Sequence, residues 1–316
     1  MTASRDGPTL THVGTAWNDA ERVALVALLR SRPHGLTWPQ ITAEVDRRAS
    51  ASALWDELHP PTLLDGDAEA PELAEARADI EAWRTADLGF LTFLDDAYPA
   101  QLREIHDLPP VLFHRGTLMS NETGMSVVGS RAATPRGLDV ARTIASGLVD
   151  RGISVIAGLA AGIDAAAHVA ALEAGGRTVA VLGTGLRRYY PAENRGLQNR
   201  IAAEGLMLSQ FWPDAPPTKH TFPMRNTVMS GYGRATIVVE AGEHSGARIQ
   251  ARRAVAHGRP VILTDLVVKA NKWPGELLDR PGVYVAGSTA EAMSIVESIS
   301  SGAAEVDALL AAAAGR

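Results

Sequence analysis

The chain has 316 residues, 46% of them hydrophobic, no cysteine and a formal net charge of −6. Without cysteine there can be no disulfide framework, thiolate metal site or cysteine nucleophile. The nine histidines also lack ligand spacings such as HExxH, so neither a metal nor a cofactor is expected. No uncharged apolar run of about 18 residues occurs, and the first residues lack a signal-peptide pattern, which predicts a cytoplasmic protein without membrane contact.

The negative charge is concentrated in the first third of the chain. Residues 1–99 hold 17 acidic against 8 basic side chains, whereas the remaining 217 residues hold 19 against 22. A net negative charge argues against a nucleic-acid partner, because cations that neutralise phosphates supply much of the affinity. The basic stretch 219–280, with ten basic and five acidic side chains, weakens that objection, although a solvated charged face explains it equally well.

Residues 1–84 are predicted to form an acidic, helical N-terminal region. Apolar residues from Ala16 to Trp55 fall at helical spacing, interrupted near Pro33, and indicate two or three short helices. An acidic, alanine-rich segment from Leu58 to Ala86 then ends in a further helix. Such a region is either a partner-docking module or a cap over one sheet edge.

From residue 85 to 298 the pattern predicts an α/β fold, an extended Rossmann-like domain with a doubly wound, mainly parallel sheet. A short strand, a helical turn and an extended segment ending at Gly116 lead into it. Further strands are expected near residues 125–128, 154–156, 178–182, 206–209, 235–239, 260–263 and 283–285. Helices are expected near residues 137–150, 164–173, 194–203, 224–231, 245–257 and 289–298. Residues 299–316 are predicted to be a short C-terminal tail, either a small amphipathic helix or a frayed end, without a winged helix.

Three glycine-rich turns follow successive predicted strands. They contain Gly129, Ser130 and Arg131, then Gly158, Gly162 and Asp164, then Gly183, Gly185 and Arg187. Glycine lets the backbone approach an anion, and the N–H groups of the following helix point at it. The turns therefore predict a site for a polyanion or a nucleotide at the carboxyl ends of the strands. Tight turns and a capping Asp164 explain the same residues without a ligand, and His168 is expected to be a packed histidine rather than a base.

Further candidates follow the third turn and two later strands: Tyr189, Tyr190, Arg225, Asn226, Glu240, Ser245 and Gly246. The two tyrosines beside two arginines fit a surface that grips and stacks single-stranded nucleic acid, or an ordinary amphipathic loop. Arg225 lies near a positive helix end that would suit a phosphate. Ser245 suits an N-cap equally well, and Glu240 lacks a matched catalytic partner. Since Arg188 breaks the GxGxxG fingerprint, classical NAD binding is disfavoured.

In their order and spacing, several strings resemble the DNA-processing protein A family, also called DprA or Smf. They are GSRAAT, GLAAGIDAAAH, AVLGTGL with YPAEN, FPMRN, VVEAGEHSG and AVAHGRPV. The resemblance covers roughly residues 85–265. It implies a dimeric protein that binds single-stranded DNA in a basic pocket and loads the RecA recombinase onto it during natural transformation, without catalysis. The implied DNA contacts are Ser130, Arg131, Gly162, Gly185, Arg225 and Asn226, with Ser245 and Gly246 nearby.

A nucleotide-binding enzyme or sensor is the alternative, because the DprA fold is related to the LOG nucleotide hydrolases and to nucleotide-sensing domains. Relatives usually carry basic residues where this chain has Ala161 and Thr227, which predicts weaker binding to phosphates. Glu240 also suits this alternative. The LOG string PGGxGTxxE is absent from the sequence.

Overall fold

A computed structural model describes residues 17–60, 69–120 and 122–314, with side chains described through residue 302. Within these residues the chain divides into a helical unit that ends at Ala86 and includes Leu94–Asp96, and an α/β unit formed by Asp87–Phe93 and the chain from Ala97 onward. The C-terminal segment, predicted to be a separate tail, continues the last helix, which runs from Thr289 to Ala314.

The helical unit consists, in its described part, of α1 (Asp19–Ser31), α2 (Trp38–Arg48), α3 (Ala51–Leu58) and α4 (Pro71–Thr85). Asn18 caps α1 by accepting a hydrogen bond from the backbone N–H of Ala20 at 2.9 Å. The Glu21 carboxylate does the same for α3, accepting from the N–H of Ala51 at 2.6 Å. A carboxylate from one helix therefore fixes the beginning of another, which stabilises the arrangement of α1 and α3.

The α/β unit is built on one nine-stranded sheet of order β1-β2-β6-β5-β4-β3-β7-β8-β9. Its strands are β1 (Gly89–Thr92), β2 (Val111–Gly116), β3 (Gly124–Gly129), β4 (Ser154–Ala157), β5 (Thr178–Val181), β6 (Leu206–Ser209), β7 (Ala235–Glu240), β8 (Val261–Thr264) and β9 (Val283–Ala286). Strand β2 pairs antiparallel with β1 and β6, and all other pairs are parallel. The prediction of a doubly wound, mainly parallel sheet is confirmed.

Helices cover both faces of this sheet. They are α5 (Ala100–Arg103), α6 (Pro135–Val149), α7 (Ile163–Glu173), α8 (Arg195–Glu204), α9 (Thr221–Tyr232), α10 (Gly246–Ala256), α11 (Asp265–Ala270) and α12 (Thr289–Ala314). In α6 the buried residues Ala141, Ile144, Ala145 and Leu148 repeat at helical spacing and join the strand side chains in one core. Helix α11 was not predicted from the sequence, because a helix of six residues is too short to show a helical period.

The sheet reverses its winding between β3 and β7. The chain leaves β3 towards β4, β5 and β6, and then returns with β7 on the other side of β3. Ligands of open α/β sheets bind at such a switch point, outside the carboxyl ends of the strands. The glycine turns after β3, β4 and β5 and the junction after β7 all lie at this edge, which we call the carboxyl edge.

At the opposite, amino edge, a buried carboxylate is surrounded by donors. Glu122 accepts hydrogen bonds from Ser154 Oγ at 2.7 Å, from Tyr232 Oη at 2.6 Å and from Arg177 Nε at 2.5 Å. Arg177 also donates to the backbone carbonyl of Thr117 at 2.5 Å. Burial, the charge of Glu122 and its hydrogen bond all raise the pKa of Tyr232, so the phenol stays a donor. This group joins the beginnings of β3, β4 and β5 to the end of α9.

Within the described residues, no helix combines the length and the apolar character that crossing a membrane requires.

Candidate functional site

Two adjoining cavities lie at the carboxyl edge. The larger has a volume of about 520 Å³ and lies at the switch point, between the turn after β3 and the beginnings of α9 and α10. The smaller, of about 180 Å³, lies between the turns after β4 and β5. Four residues line both cavities and form the wall between them: Arg131, Ala160, Phe222 and Arg225.

Arg225 is the buried cation of this wall. Its side chain donates through Nη1 to the carbonyls of Gly158 at 2.6 Å and Val181 at 2.9 Å, which joins the ends of β4 and β5. A Cβ on Gly158 would lie 1.7 Å from this Nη1, so the close approach requires glycine. Burial lowers the pKa of Arg225, yet a guanidinium keeps its proton in proteins. The guanidinium in this wall therefore stays charged, with the buried carboxylate of Asp164 as its neighbouring counter-charge.

Asp164 lies beside Arg225 and organises the turn after β4. Its Oδ2 accepts from the backbone N–H groups of Gly158 at 3.0 Å and Ala160 at 3.4 Å. Burial raises the pKa of Asp164, while the charge of Arg225 acts in the opposite direction. The residue lies inside the first turn of α7, whose N-cap is Gly162, so its carboxylate holds the turn before the helix instead of capping it.

The turn after β3 is fixed by its contact with the beginning of α7. Gly162 has φ of 78°, and a Cβ there would lie 2.2 Å from the carbonyl oxygen of Ser130. Ser130 itself accepts from the N–H of Ala132 at 3.2 Å. This packing directs Arg131 over the cavities: its guanidinium carbon lies 5.2 Å from the centre of the Phe222 ring. Within the described residues Arg131 makes no ion pair, so its donors are available to an anion.

Aromatic rings border the smaller cavity. The Tyr190 and Phe222 rings lie 5.4 Å apart and are tilted by 42°. Beyond them Tyr189 is 37% exposed, and the guanidinium of Arg195 lies 4.6 Å from its centre. Sequence reasoning named both tyrosines but missed Phe222, because FPMRN was interpreted for its Arg and Asn alone. A ring directly before a proline at a helix start was the available signal.

The far wall of the larger cavity is the N terminus of α10. Ser245 caps this helix by accepting from the N–H of Ala247 at 3.2 Å, and both Ser245 and Gly246 line the cavity together with Asn226. The first N–H groups of a helix lack partners within the helix and carry a partial positive charge. This wall therefore suits an anion as well.

Apart from the two tyrosines, ten of the fourteen candidate residues line a cavity: Gly129, Ser130, Arg131, Gly158, Asp164, Gly183, Arg225, Asn226, Ser245 and Gly246. Four line neither of the two. Gly162 packs behind Ser130, and Gly185 packs against the carbonyls of Trp212 and Pro213. Arg187 is paired with Asp214 at 2.9 Å.

Glu240, the fourth, has a structural partner. Its carboxylate accepts from the backbone N–H of Thr134 at 3.1 Å and from Thr134 Oγ1 at 2.7 Å. Thr134 in turn caps α6 by accepting from the N–H of Gly137 at 3.0 Å. The carboxylate on which a hydrolytic alternative would depend thus supports the beginning of α6.

The two positions at which the resemblance led us to expect basic residues differ in their surroundings. Ala161 lines the smaller cavity, so a cation is missing from that site. Thr227 lines neither cavity; it is buried in α9 and donates to Asp107 Oδ2 at 3.3 Å. The expected weakening of phosphate binding therefore concerns Ala161 more than Thr227.

His168 lies behind the site and is fully buried. Its Nδ1 lies 2.7 Å from Thr178 Oγ1, and that hydroxyl donates to the carbonyl of Val155 at 2.7 Å. Nδ1 therefore carries the proton. Burial lowers the pKa of His168 to about 3, with the charge of Arg225 acting in the same direction. A neutral, packed histidine agrees with the sequence interpretation.

The comparisons with known proteins all point to one family. The profile of the family described as DNA recombination-mediator protein A matches residues 89–294. DNA processing protein DprA of Streptococcus pneumoniae is 41% identical over 189 residues, which cover 60% of this chain and 64% of that protein. Protein Smf of Synechocystis is 45% identical over 178 residues, 55% of this chain and 45% of that protein. The matched regions thus span about half to two thirds of these relatives.

Solved structures agree. The X-ray structure of DprA from Streptococcus pneumoniae superposes with a TM-score of 0.68 at 31% identity, covering 88% of this chain and 97% of that one. A Helicobacter pylori DNA processing protein A, described for its single-stranded DNA binding mode, gives a TM-score of 0.59 at 24% identity. It covers 67% of this chain and 96% of that one, and shares the fold.

Proposed function

The chain belongs to the DNA recombination-mediator protein A family, and from this premise we propose that it binds single-stranded DNA across the two cavities of the carboxyl edge. The observation that carries the proposal is the wall between them. There one exposed guanidinium, one buried guanidinium and one aromatic ring meet: Arg131, Arg225 and Phe222. Guanidinium groups bind phosphates and aromatic rings stack on unpaired bases, so a site for single-stranded DNA needs both kinds of group side by side.

The larger cavity suits the sugar-phosphate backbone. Arg131 offers unpaired donors on one side, and the N terminus of α10 offers backbone N–H groups on the other. The glycines at these turns leave the backbone open to close contact. Contacts to phosphates carry no sequence information, so we expect little sequence preference from this cavity.

The smaller cavity suits a base that has left the stack. The rings of Phe222 and Tyr190 border it, and a stacked base tolerates any sequence because every base has an aromatic face. Bases of a duplex are unavailable for such stacking, so the arrangement favours single strands. Tyr189 with Arg195 offers a further ring and cation along the same surface.

A role for this binding is the second part of the proposal. We propose a cytoplasmic homodimer that holds single-stranded DNA without chemical change and presents it to a RecA recombinase, as in recombination or natural transformation. The description of the family as a recombination mediator supports this role. The use of Glu240 in supporting α6 supports binding without catalysis. Light scattering of the purified chain tests the dimer, and RecA filament assembly on coated single strands tests the partner.

The binding test is a titration of a fluorescein-labelled oligothymidine with the purified chain, followed by anisotropy. We expect saturable binding, weakened by added salt, and much weaker binding to a duplex of equal length. Competition with mononucleotides completes the design. A folded protein that binds mononucleotides but ignores oligothymidine at low salt would overturn the proposal and restore the nucleotide-binding alternative.

A further inference from the structure

A cluster of two histidines and an aspartate lies away from the candidate DNA site, towards the C-terminal ends of α9 and α10. His106 and Asp107 precede β2, and His257 ends α10. One ligand atom from each of the three lies within 4.8 Å of the others. Eleven residues of α10 separate this three-residue cluster from the candidate DNA site, which corresponds to about 16 Å of helix.

His257 has its two ring nitrogens in different surroundings. Its side chain is 0% exposed, with Nε2 2.7 Å from Asp107 Oδ1 and Nδ1 2.8 Å from Ser230 Oγ. The Ser230 hydroxyl donates to the carbonyl of Thr227 at 3.1 Å, so it accepts from Nδ1–H. In the neutral ring the Nε2 lone pair then faces a carboxylate oxygen. Two acceptors in this position need a cation between them: a proton at the 2.7 Å separation of the two atoms, or a metal ion once they move apart to about 3.4 Å, the ligand spacing of tetrahedral zinc.

The second oxygen of Asp107 is already engaged. Oδ2 lies 3.0 Å from Arg253 Nη1 and 3.3 Å from Thr227 Oγ1, so it is oriented by two donors while Oδ1 points at His257. Metal-binding sites commonly show this pattern, in which each ligand is held by a partner outside the coordination sphere. Ser230 does the same for His257. Arg253 balances the charge of Asp107, which favours binding of the ion through one oxygen.

His106 supplies a third ligand and the opening to solvent. Its ring lies edge-on to that of His257, with centres 5.3 Å apart, and its Nε2 is 3.8 Å from Asp107 Oδ1. The side chain is 63% exposed. Because this side chain is exposed, its ring is free to turn Nε2 towards the other two atoms, and water can reach the cluster from the same side.

We propose that His106, Asp107 and His257 bind a zinc ion. Two imidazoles and one carboxylate suit Zn²⁺ in tetrahedral geometry with a water, whereas Mg²⁺ and Ca²⁺ prefer sets made wholly of oxygen ligands. The ion joins the segment before β2 to the ends of α9 and α10 and so stabilises this side of the sheet. The sequence concealed the site because His257 follows His106 only after about 150 residues.

The test uses the full chain without a histidine tag, freed of metal by a chelator and titrated with Co²⁺ as a spectroscopic substitute for zinc. We expect one Co²⁺ per chain with the visible absorption of a four-coordinate ion, and displacement by Zn²⁺. His106→Ala, an exposed and structurally mild change, weakens binding at least about tenfold. Zinc raises the unfolding temperature of the wild type but not of this variant.

His220→Ala is the matched control, because His220 is also exposed but lies at the beginning of α9. It leaves Co²⁺ binding unchanged. Absence of stoichiometric binding would show that a proton joins His257 to Asp107, and unchanged binding in His106→Ala would place the metal elsewhere. Either result overturns the proposal, and neither depends on DNA binding.

Discussion

The two edges of the sheet both contain a buried charged residue, but they use it differently. At the amino edge, Glu122 is surrounded by Ser154, Arg177 and Tyr232, and its oxygens are fully occupied by these donors. At the carboxyl edge, Arg225 donates to two strand-end carbonyls and still borders both cavities. The donors around Glu122 satisfy its carboxylate completely, whereas the guanidinium of Arg225 still borders the two cavities.

This difference separates a structural ion pair from a binding site. A buried charge whose partners are complete is costly to disrupt, and it has no free donor or acceptor to offer a ligand. A buried charge beside a cavity is held in place before the ligand arrives, so little reorganisation is required on binding. The exposed guanidinium of Arg131 and the ring of Phe222 lie at the same wall and can contact a ligand there. The group around Glu122 at the amino edge has no counterpart to them.

The largest effects are expected when each buried charge is removed. Glu122→Gln weakens the amino-edge group and should lower the free energy of unfolding by about 3 kcal/mol, because Arg177 loses its charged partner. Arg225→Gln should cost a similar amount, since it leaves Asp164 without its neighbouring charge. Urea unfolding measures both.

DNA binding should distinguish the two variants. At a temperature at which both are folded, Glu122→Gln should bind oligothymidine like the wild type, whereas Arg225→Gln should lose most of its affinity. Equal loss of binding in the two would mean that the edges are not functionally different.

A smaller effect is expected from the ring at the cavity wall. Phe222→Ala should weaken oligothymidine binding by about 1–3 kcal/mol, the range for loss of one base stack, and should leave the salt dependence unchanged. Tyr284→Ala is the control, because this ring on β9 is 42% exposed but lies on the outer strand of the sheet. Unaltered binding in Phe222→Ala would contradict a base in the smaller cavity.

A pH-dependent effect is expected from the histidine behind the site. His168 has a folded-state pKa of about 3, below the value of about 6.5 for an unfolded chain. The unfolded state therefore takes up the proton first. The stability from neutral His168 is complete above pH 6.5 and is lost as pH falls towards 3, by up to about 1.4 kcal/mol per pH unit.

Unfolding experiments between about pH 6.5 and 5 isolate this group from most carboxyl groups, which titrate lower. His168→Gln is less stable at every pH, so the slope with pH is the informative quantity. It should be flatter in the variant, and an unchanged slope would mean that another group titrates there.

Much of the fold followed from the sequence. From Met125 onward the seven predicted strands match β3 to β9, because buried parallel strands are continuous apolar runs between glycine turns. Helix α11 escaped this reasoning because it is too short to be periodic. For the C-terminal segment the sequence left a small helix and a frayed tail open, and the structure continues α12 as far as Ala314.

The site was less predictable than the fold. The sequence indicated which turns meet, since carboxyl ends of parallel strands share one edge, but it could not give the direction of a side chain. In the structure Glu240 is hydrogen-bonded to Thr134, Arg187 is ion-paired with Asp214, and Thr227 is hydrogen-bonded to Asp107. These partners lie far away along the chain, and only the folded arrangement brings them together.

The most direct test of the central claim is the salt dependence of oligothymidine binding in three proteins: the wild type, Arg131→Ala and Arg187→Ala. Arg131 makes no ion pair among the described residues, whereas Arg187 lies outside the cavities and is paired with Asp214. The slope of log Kd against log salt should fall by about 0.7 in Arg131→Ala, the value for one lost phosphate contact on a single strand. It should stay at the wild-type value in Arg187→Ala. Identical slopes and affinities in all three proteins would contradict a DNA backbone at the carboxyl edge.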